Sequence, residues 1–341
     1  MLQQVNSAGR QVLARLHDRS PRVLMRLRGR VLILGYHRVL PDTELRRQFV
    51  QPGMYVQAHV FEAHVRFLRE HFRIISLTEF LLLQEARAWD PEERYCIITF
   101  DDGWLDNYLY AYPILRRYQA TATIFVSTAL MGSEEWLWPD KLGWLLARSG
   151  LANTTVRQRL RPLEARYPWL AHLTHRGGAA QIDSAIELCK RMSDHAIGDL
   201  LREMAARLDV EFPKKRLFLE WRDAEEMSRD GIAFGSHAVT HRLLTRLSDA
   251  EIRTEVAGSL ETLRRKPVNL VPVFSYPNGD YNDGVVDRLK ASGYHAAVST
   301  ESGAEVWDRP DLFRLRRVSV HNDVSATIPL FAFHLLRVGH L

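Results

Sequence analysis

The sequence predicts an α/β fold built on a parallel sheet or barrel. Runs of β-forming residues alternate with helical patterns over most of the 341-residue chain, and this alternation is typical of parallel strands joined by helices. One predicted strand, residues 95–100, is apolar without alternation, which indicates burial on both faces of the sheet. It leads directly into Asp101, Asp102 and Gly103. The carboxyl end of a parallel strand is where α/β enzymes place their chemistry.

Each element follows from a local pattern. Strands are predicted from β-forming runs, and helices from apolar residues at helical spacing. Ser76 and Ser248 open Ser-x-x-Glu capping boxes, and Gly231 and Gly293 are suited to cap helix carboxyl ends. The predicted order is a strand at 31–39, a helix at 59–72, a strand at 74–75, a helix at 76–83, the strand at 95–100, a helix at 105–118, a strand at 121–127, a helix at 221–230, a strand at 232–235, a helix from 248, a strand at 271–276, a helix at 283–292, and strands at 296–299 and 312–320.

The strand and helix rhythm is confined to residues 31–131 and 221–325, which we assign to the barrel. Residues 132–220 are helical in pattern and hold four of the eight tryptophans, so we interpret them as a helical insertion. Residues 326–341 form an apolar tail. Residues 1–30 hold seven arginines and one acid, a basic amphipathic arm suited to an anionic membrane surface. A helix or loose arm packed outside the domain is the alternative interpretation.

Composition restricts the class of protein and its compartment. The apolar and charged fractions, 46% and 26%, are ordinary for a globular protein. Two cysteines, Cys96 and Cys189, predict neither a disulfide framework nor a cysteine metal site. We find no secretory signal core and no apolar run of about 20 residues. The expected location is cytoplasmic, with peripheral contact at the inner membrane face. The basic arm has no nucleic-acid reading motif, so no nucleic-acid partner is expected.

Two groups of side chains predict a metal site. Asp101 and Asp102 would repel each other if both were ionised and unpaired, so a cation beside them is expected. His237 and His241 are four residues apart, and on a helical turn both imidazoles would face one ion. Two histidines and one carboxylate leave positions open on the metal, as catalytic sites require. Zn²⁺ is the expected ion, with Co²⁺, Mn²⁺ or Ni²⁺ as alternatives, and a histidine pair without metal is the competing interpretation.

Three motifs in fixed order carry a resemblance to a known family. They are Thr-Phe-Asp-Asp-Gly at 99–103, His-x-x-x-His at 237–241 and a strand that ends in Tyr-Pro-Asn-Gly at 276–279. Together they resemble the polysaccharide deacetylase (NodB-homology) family, carbohydrate esterase family 4. The resemblance covers roughly residues 31–130 and 215–325. It implies an irregular (β/α)7-type barrel and metal-dependent removal of an acyl group from an amino sugar.

The resemblance also implies a role for each site residue. The metal ligands are Asp102, His237 and His241. Asp101 is then the general base that takes a proton from the attacking water. Backbone amides of the turn at Tyr276 and Asn278 are expected to form the oxyanion hole, with the amide of Asn278 favoured.

A general acid must protonate the leaving amine, and two histidines qualify. His37 ends the apolar run of the first strand and His321 ends the last strand, and in a closed barrel these two strands are neighbours. We favour His37, because family members with Tyr-His at this place have the acid there. His321 remains the alternative.

Two positions depart from the family pattern. Ala238 stands where the family often has Ser or Thr, which removes one hydrogen bond near the metal. Ser275 stands where the family usually has an arginine beside the base. We expect Arg316 or Arg317 of the last strand to take over that role.

The function predicted is metal-dependent removal of an N-acetyl group from an amino sugar in a polysaccharide or a lipid-linked glycan precursor. Deformylation of a lipid-linked formamido sugar is a close alternative. Glycoside hydrolysis would need two carboxylates flanking the bond and would leave the histidine pair without a purpose. A non-catalytic carbohydrate-binding protein is a further alternative, although such a protein would normally lose a ligand or the base, and neither is missing.

Overall fold

The computed structural model describes residues 24–148, 154–173, 178–306 and 310–338. The predicted basic arm therefore lies outside the described residues up to position 23, as do the last three residues of the predicted tail. The chain forms two compact units. Of the described residues, a sheet-containing unit comprises those within 24–40, 56–133 and 216–338, and a helical unit comprises those within 41–55 and 134–215.

Seven parallel strands of the sheet-containing unit close into a barrel. The strands of the chain are β1 (Arg30–Tyr36), β2 (Arg38–Leu40), β3 (Tyr55–Gln57), β4 (Arg73–Ile74), β5 (Tyr95–Phe100), β6 (Thr123–Val126), β7 (Ala233–Ser236), β8 (Leu270–Ser275), β9 (Ala296–Ser302), β10 (Glu305–Val306) and β11 (Leu315–Ser319). The order around the barrel is β1-β11-β9-β8-β7-β6-β5, and β5 pairs back with β1. β4 extends the sheet from β5, and β10 pairs antiparallel with β1. The predicted (β/α)7-type barrel is confirmed.

Helices connect the strands and form the second unit. They are α1 (Asp42–Leu45), α2 (Ala58–His71), α3 (Leu77–Ala86), α4 (Tyr112–Arg117), α5 (Trp138–Arg148), α6 (Thr154–Leu160), α7 (Gly178–Cys189), α8 (Asp194–Leu208), α9 (Trp221–Arg229), α10 (Asp249–Arg264), α11 (Asp283–Ser292), α12 (Asn322–Ser325) and α13 (Ile328–Val338). A π-helical segment, Asn107–Ala111, precedes α4. Among the helices of the described residues, none is both long and apolar enough to cross a bilayer.

Both faces of the barrel strands are buried, which explains their unbroken apolar sequences. Along β1, Val31 and Ile33 pack in one hydrophobic cluster, whereas Leu32 and Leu34 pack in another. Successive side chains of a strand point to opposite faces, so one cluster fills the barrel and the other lies under the helices. Burying each such side chain contributes about 1.5–3 kcal/mol relative to exposure. No solvent face is left along this strand to produce an alternating pattern.

The helical unit has a hydrophobic core of its own. Leu142, Ile186, Leu200 and Met204 are among its buried residues. Trp138, Trp144 and Trp169 are partly buried against this core, so three of the four tryptophans of the predicted insertion serve packing. The unit also contains residues 41–55, which the sequence analysis assigned to the barrel, and its main segment runs over 134–215 rather than 132–220.

Several local features differ from the sequence-based expectation. The predicted strand at 31–39 is interrupted at His37, which lies between β1 and β2. The predicted helix at 105–118 is π-helical over Asn107–Ala111. The apolar tail forms α13, whose Phe331 and Leu335 are buried in the cluster that also contains Leu32 and Leu34. The tail therefore packs on the outer face of the barrel strands.

Candidate active site

The turn after β5 places two adjacent carboxylates at the carboxyl end of the barrel. The N–H of Asp101 donates to the carbonyl of Tyr36 at 3.0 Å, which continues the pairing of β5 with β1. Asp102 and Gly103 then adopt left-handed backbone conformations, with φ of 73° and 75°. A Cβ at Gly103 would lie 2.9 Å from Val126 Cγ1, so glycine is required here by space as well as by φ. The reversal directs the two neighbouring carboxylates into different surroundings.

Asp102, His237 and His241 form the cluster that the sequence predicted. Their ligand atoms all lie within 4.8 Å of one another. Asp102 Oδ1 is 3.4 Å from His237 Nε2 and 3.2 Å from His241 Nε2. Burial raises the pKa of Asp102, but hydrogen bonds from the two imidazoles outweigh burial and hold this pKa well below its ordinary value. One anionic oxygen and two imidazole nitrogens that converge in this way form a donor set that fits a divalent metal ion.

Two hydrogen bonds orient His237 and Asp102, and both come from residues outside the cluster. His237 Nδ1 lies 2.6 Å from the carbonyl of Ser275, and a carbonyl can only accept, so Nδ1 carries a proton and Nε2 is the nitrogen left to bind a metal ion. The indole N–H of Trp104 donates to Asp102 Oδ2 at 2.8 Å, which leaves Oδ1 facing the histidines. The donor atoms are therefore aimed by residues that do not themselves ligate.

The backbone between the two histidines is not the helical turn that the sequence analysis assumed. Residues 237–241 form a loop outside helices and strands, and Ala238 and His241 have positive φ values of 66° and 62°. The imidazole centroids are nevertheless only 4.8 Å apart. The prediction that both histidines face one site is supported, but its assumed cause, helical periodicity, is wrong.

Asp101 is paired with Arg317, an arginine that is far from it in the sequence. Arg317 donates from Nη1 to Oδ1 at 2.8 Å and from Nη2 to Oδ2 at 2.6 Å, and both side chains are only 3% exposed. Ser275 Oγ donates to Asp101 Oδ1 at 3.1 Å. Burial raises the pKa of Asp101, but the charge and hydrogen bonds of Arg317 outweigh burial and lower the pKa to about 2. Asp101 is therefore ionised throughout the neutral range.

Arg316 and Arg317 are the two alternatives that the sequence offers for the arginine beside the base. Arg317 also donates from Nε to the carbonyl of Ser299 at 2.7 Å, which fixes the plane of its guanidinium. Arg316 instead pairs with Glu305 at 3.2 Å and donates to the carbonyl of Ala304. Side chains alternate along β11, so only one of two consecutive arginines can point into the barrel, and that residue is Arg317.

His37 lies beside Asp101, in the break between β1 and β2. Its Nε2 is 3.9 Å from Asp101 Oδ2, and about one fifth of its side chain is exposed. Burial lowers its pKa, whereas the charges of Asp102 and Asp101 act in the opposite direction. Asn107 Nδ2 donates to the carbonyl of His37 at 2.8 Å. His37 is therefore held at the site and open on one side.

His321 has different neighbours. It is the residue before α12, and its Nδ1 lies 3.3 Å from Asp323 Oδ2. His321 is also an electrostatic neighbour of His334. Of the two histidines considered for the general acid, the structure therefore brings His37 to the carboxylates and pairs His321 with Asp323.

The turn after β8 offers a restricted set of amides. The N–H of Tyr276 donates to the carbonyl of Val298 at 3.1 Å, and that of Gly279 donates to the carbonyl of Tyr276 at 2.8 Å. Pro277 has no N–H. The phenol of Tyr276 donates to the carbonyl of Phe313 at 2.9 Å. Tyr276 is therefore committed to the fold, and Asn278 is left as the candidate donor of this turn.

Sequence reasoning missed several residues that support the site. Asp106 accepts from Arg38 Nε at 2.8 Å and from the N–H of Val39 at 2.9 Å, and both charged residues are buried. The Arg38 guanidinium also lies 4.4 Å from the Trp104 ring centroid. The available signal was the polar Asp106-Asn107 pair directly after the Asp-Asp-Gly turn, which we interpreted only as the start of a helix.

The family model described as polysaccharide deacetylase matches residues 89–297. The matched segment contains both carboxylates and both histidines, and it covers more than half of the chain. The chain belongs to the polysaccharide deacetylase family. This confirms the resemblance drawn from the three motifs and identifies the protein as a carbohydrate de-N-acetylase.

Relatives of this polysaccharide deacetylase agree with that assignment. The Bacillus subtilis protein YxkH, whose name classes it with the polysaccharide deacetylases, is 24% identical over 93% of this chain and 81% of its own length. The poly-β-1,6-N-acetyl-D-glucosamine N-deacetylase of Staphylococcus aureus is 30% identical over 132 residues, which are 36% of this chain and 44% of the relative. The second match thus spans less than half of the staphylococcal enzyme.

Solved structures show the same fold at low identity. The deacetylase PplD of Streptococcus pyogenes, solved with acetate, superposes with a TM-score of 0.57 at 20% identity and covers 91% of this chain and 97% of its own. IcaB of Ammonifex degensii superposes with a TM-score of 0.54 at 17% identity and covers 89% and 97%. These two structures support the barrel assignment made from the strand order.

Proposed function

We propose that this polysaccharide deacetylase hydrolyses the N-acetyl group of an amino sugar in a metal-dependent reaction. The observation that carries the proposal is the convergence of Asp102, His237 and His241 directly beside a second, separately held carboxylate, Asp101. The donor set suits Zn²⁺ first, with Co²⁺, Mn²⁺ and Ni²⁺ as alternatives. When bound, such an ion would polarise the acyl carbonyl and lower the pKa of a water molecule.

Asp101 is proposed as the general base. Its pairing with Arg317 supports this role because the guanidinium keeps the carboxylate ionised, and therefore able to accept a proton, at any working pH. The same pairing reduces the proton affinity of Asp101, so we assign it the task of orienting the attacking water and taking its proton as the transition state forms. Asp102, turned towards the histidines, is left to hold the metal.

His37 is proposed as the general acid. An amine leaves from the tetrahedral intermediate only when its nitrogen is protonated, and His37 is the histidine beside Asp101 that retains solvent exposure. The short distance to Asp101 supports a route by which a proton accepted by the base returns to the leaving nitrogen. The backbone N–H of Asn278 is proposed to donate to the developing oxyanion.

An N-acetylated amino-sugar polysaccharide is the proposed substrate class. The staphylococcal relative is named for an N-acetylglucosamine polymer, and its match supports a related substrate here. A lipid-linked glycan precursor, a formyl group in place of acetyl, a cytoplasmic location and contact with the inner membrane face stay predictions of the sequence. The basic arm on which the membrane contact depends lies largely outside the described residues.

The decisive experiment measures acetate and formate release from N-acylated amino-sugar oligomers. We expect acetate release that EDTA abolishes and that Zn²⁺ or Co²⁺ restores. Asp101→Asn should retain bound metal and lose about 10²–10⁴-fold in turnover, the usual contribution of a general base. Because this substitution leaves the buried Arg317 without its counter-charge, far-UV circular dichroism must show that the variant is folded. Full activity in EDTA would exclude the metal mechanism.

A matched pair of substitutions tests the choice of acid. His37→Ala should lose about 10²-fold or more in turnover, whereas His321→Ala should stay within a few-fold of wild type. The reverse result would assign the proton donor to His321. Metal-bound, folded protein that releases no acyl group from any glycan would favour the non-catalytic carbohydrate-binding alternative.

A further inference from the structure

The loop that joins the two metal-binding histidines has an unusual backbone. Ala238 and His241 both have left-handed φ values, although neither is glycine. Non-glycine residues occupy this region only when their surroundings impose it. With no helical hydrogen bonds within the loop to set the spacing of His237 and His241, the spacing depends on contacts from outside.

A single buried carboxylate supplies such contacts. Glu255 is 5% exposed, and its Oε2 accepts from the N–H of Val239 and the N–H of Thr240, each at 2.8 Å. Its Oε1 accepts from the hydroxyl of Thr240 at 2.5 Å. All three donors lie between His237 and His241 in the chain. Glu255 therefore holds the middle of the loop with one rigid group.

The helix that carries Glu255 is itself tied to the strand that delivers His237. α10 begins with a complete capping box between Ser248 and Glu251. In its middle, Ser259 Oγ accepts from Ser236 Oγ at 2.7 Å, and Ser236 is the last residue of β7, directly before His237. Loop, helix and strand thus share one hydrogen-bonded frame, which fixes the position of the Glu255 carboxylate relative to the first histidine.

Other contacts hold the loop from residue 237 to residue 239, and they do so through its carbonyls. Ser127 Oγ donates to the carbonyl of His237 at 2.9 Å, and the N–H groups of Thr128 and Ala129 donate to the carbonyls of Ala238 and Val239. Those bonds use loop carbonyls, whereas Glu255 takes the loop N–H groups nearest to His241. Because His241 is the more exposed of the two histidines, with 22% of its side chain exposed, its position is the one most dependent on Glu255.

We propose that Glu255 is a positioning residue that presets the spacing of His237 and His241 and thereby sets the metal affinity of the site. This inference rests on the proposed metal-dependent function. Without the carboxylate, the loop can leave its left-handed conformations, and the free energy needed to order it again is subtracted from metal binding. A residue that orients metal ligands without itself binding the ion typically changes affinity by about 10–100-fold when it is removed.

The test compares Co²⁺ and Zn²⁺ dissociation constants of the metal-stripped full-length chain. Co²⁺ binding is followed by its visible absorption, which reports the geometry of the ligands without any assay of activity, and Zn²⁺ binding is followed by competition. Glu255→Ala should bind both ions about 10–100-fold more weakly, with an altered Co²⁺ spectrum. Glu255→Gln should bind within about threefold of wild type, because its amide oxygen can accept from the two N–H groups and its NH₂ can donate to the Thr240 hydroxyl.

Two further variants keep the test sound if Glu255→Ala does not fold. Thr240→Val removes one of the three bonds from an exposed position and should weaken Co²⁺ binding by a few-fold, in the same direction as Glu255→Ala. Glu261→Ala removes an exposed carboxylate of the same helix, whose bond is to Arg265, and should leave metal binding unchanged.

Two results would overturn the inference. If folded Glu255→Ala or Thr240→Val binds Co²⁺ with wild-type affinity and an unaltered spectrum, Glu255 serves only the stability of the fold, and the proposed function still stands. If the wild-type chain binds neither ion, the proposed function fails and this inference fails with it.

Discussion

Asp101 and Asp102 are neighbours in the chain but belong to two different regions of the site. Asp101 lies in a region held by charge, where Arg317 donates two hydrogen bonds and Ser275 a third. Asp102 lies in a region held by ring nitrogens, with two imidazoles and the indole of Trp104 around it. A left-handed turn at Asp102 separates the two environments.

This difference shows how two adjacent aspartates can have two functions. A buried carboxylate with a permanent cation beside it stays ionised and gains little from binding a metal ion. A carboxylate surrounded by imidazole nitrogens has no permanent cation such as arginine beside it, so it can join those nitrogens in binding a metal ion. The chain thus assigns base and ligand by environment rather than by residue type.

The largest effect is expected from removing the ligand carboxylate. Asp102→Ala deletes the only anionic donor of the cluster, so Zn²⁺ affinity should fall by more than the ~10–100-fold that outer contacts cost. Isothermal titration of the metal-stripped chain measures the change. Asp101→Asn is the control. It changes the carboxylate immediately before Asp102 in the same turn, and it should retain metal. Equal loss of metal in both variants would contradict the division.

A large loss of stability is expected from breaking the ion pair between Asp101 and Arg317. Arg317→Met leaves the buried Asp101 carboxylate without its cation, and breaking one partner of a buried pair costs about 3–5 kcal/mol in the free energy of unfolding. Urea denaturation measures it. Arg314→Met is the matched control, because Arg314 pairs with exposed partners and its loss should change the midpoint little. Comparable destabilisation in both variants would show that the Asp101 pair has no special weight.

A smaller effect, on metal affinity, is expected from a change in the surroundings of Asp102. Trp104→Phe keeps a ring beside Phe218 and Arg38 but removes the N–H that donates to Asp102. Metal affinity should fall about tenfold, with the stability of the metal-free chain changed by less than in Arg317→Met. Trp136→Phe, which removes an indole bond to the carbonyl of Lys215, is the control and should not affect metal binding. Unchanged affinity in Trp104→Phe would remove Trp104 from the ligand frame.

The smallest effect concerns His64, a buried histidine whose ring nitrogens contact a tyrosine hydroxyl and a backbone carbonyl rather than a carboxylate. His64 donates from Nε2 to the carbonyl of Ser325, and burial lowers its pKa from 6.5 to about 4. Below pH 6.5 the unfolded chain takes up a proton that the folded chain refuses until about pH 4, so stability falls as the pH falls through this window. Between pH 7.5 and 5.5 this residue should account for about 1 kcal/mol of lost unfolding free energy.

The control for that loss is His64→Gln, which can still bond to Ser325 and Tyr36 but does not titrate. Its unfolding free energy, measured by urea denaturation at both pH values, should change less with pH than that of wild type by about 1 kcal/mol. An identical pH dependence in the two proteins would show that the pKa of His64 is the same in the folded and the unfolded chain.

Much of the barrel could be predicted from the sequence because its causes are local. Strands buried on both faces are continuously apolar, and capping residues such as Ser76 and Ser248 accept the N–H groups at helix starts. The break at His37 and the π-helix at Asn107–Ala111 could not be predicted in the same way. Both are imposed by contacts with other segments, namely the bonds that Asp106 and Asn107 make to residues 37–39.

The residues available for chemistry can be read from the amino-acid sequence alone: two adjacent acids at a strand end, two histidines four apart, and a proline turn. How they are used depends on contacts between distant parts of the fold. The tertiary structure selected Arg317 over Arg316, because alternate side chains of a strand point to opposite faces. It committed the amide of Tyr276 to Val298 and left Asn278 as the donor of the turn. It also fixed the histidine spacing through Glu255, a contact that sequence periodicity cannot predict because the spacing comes from another helix.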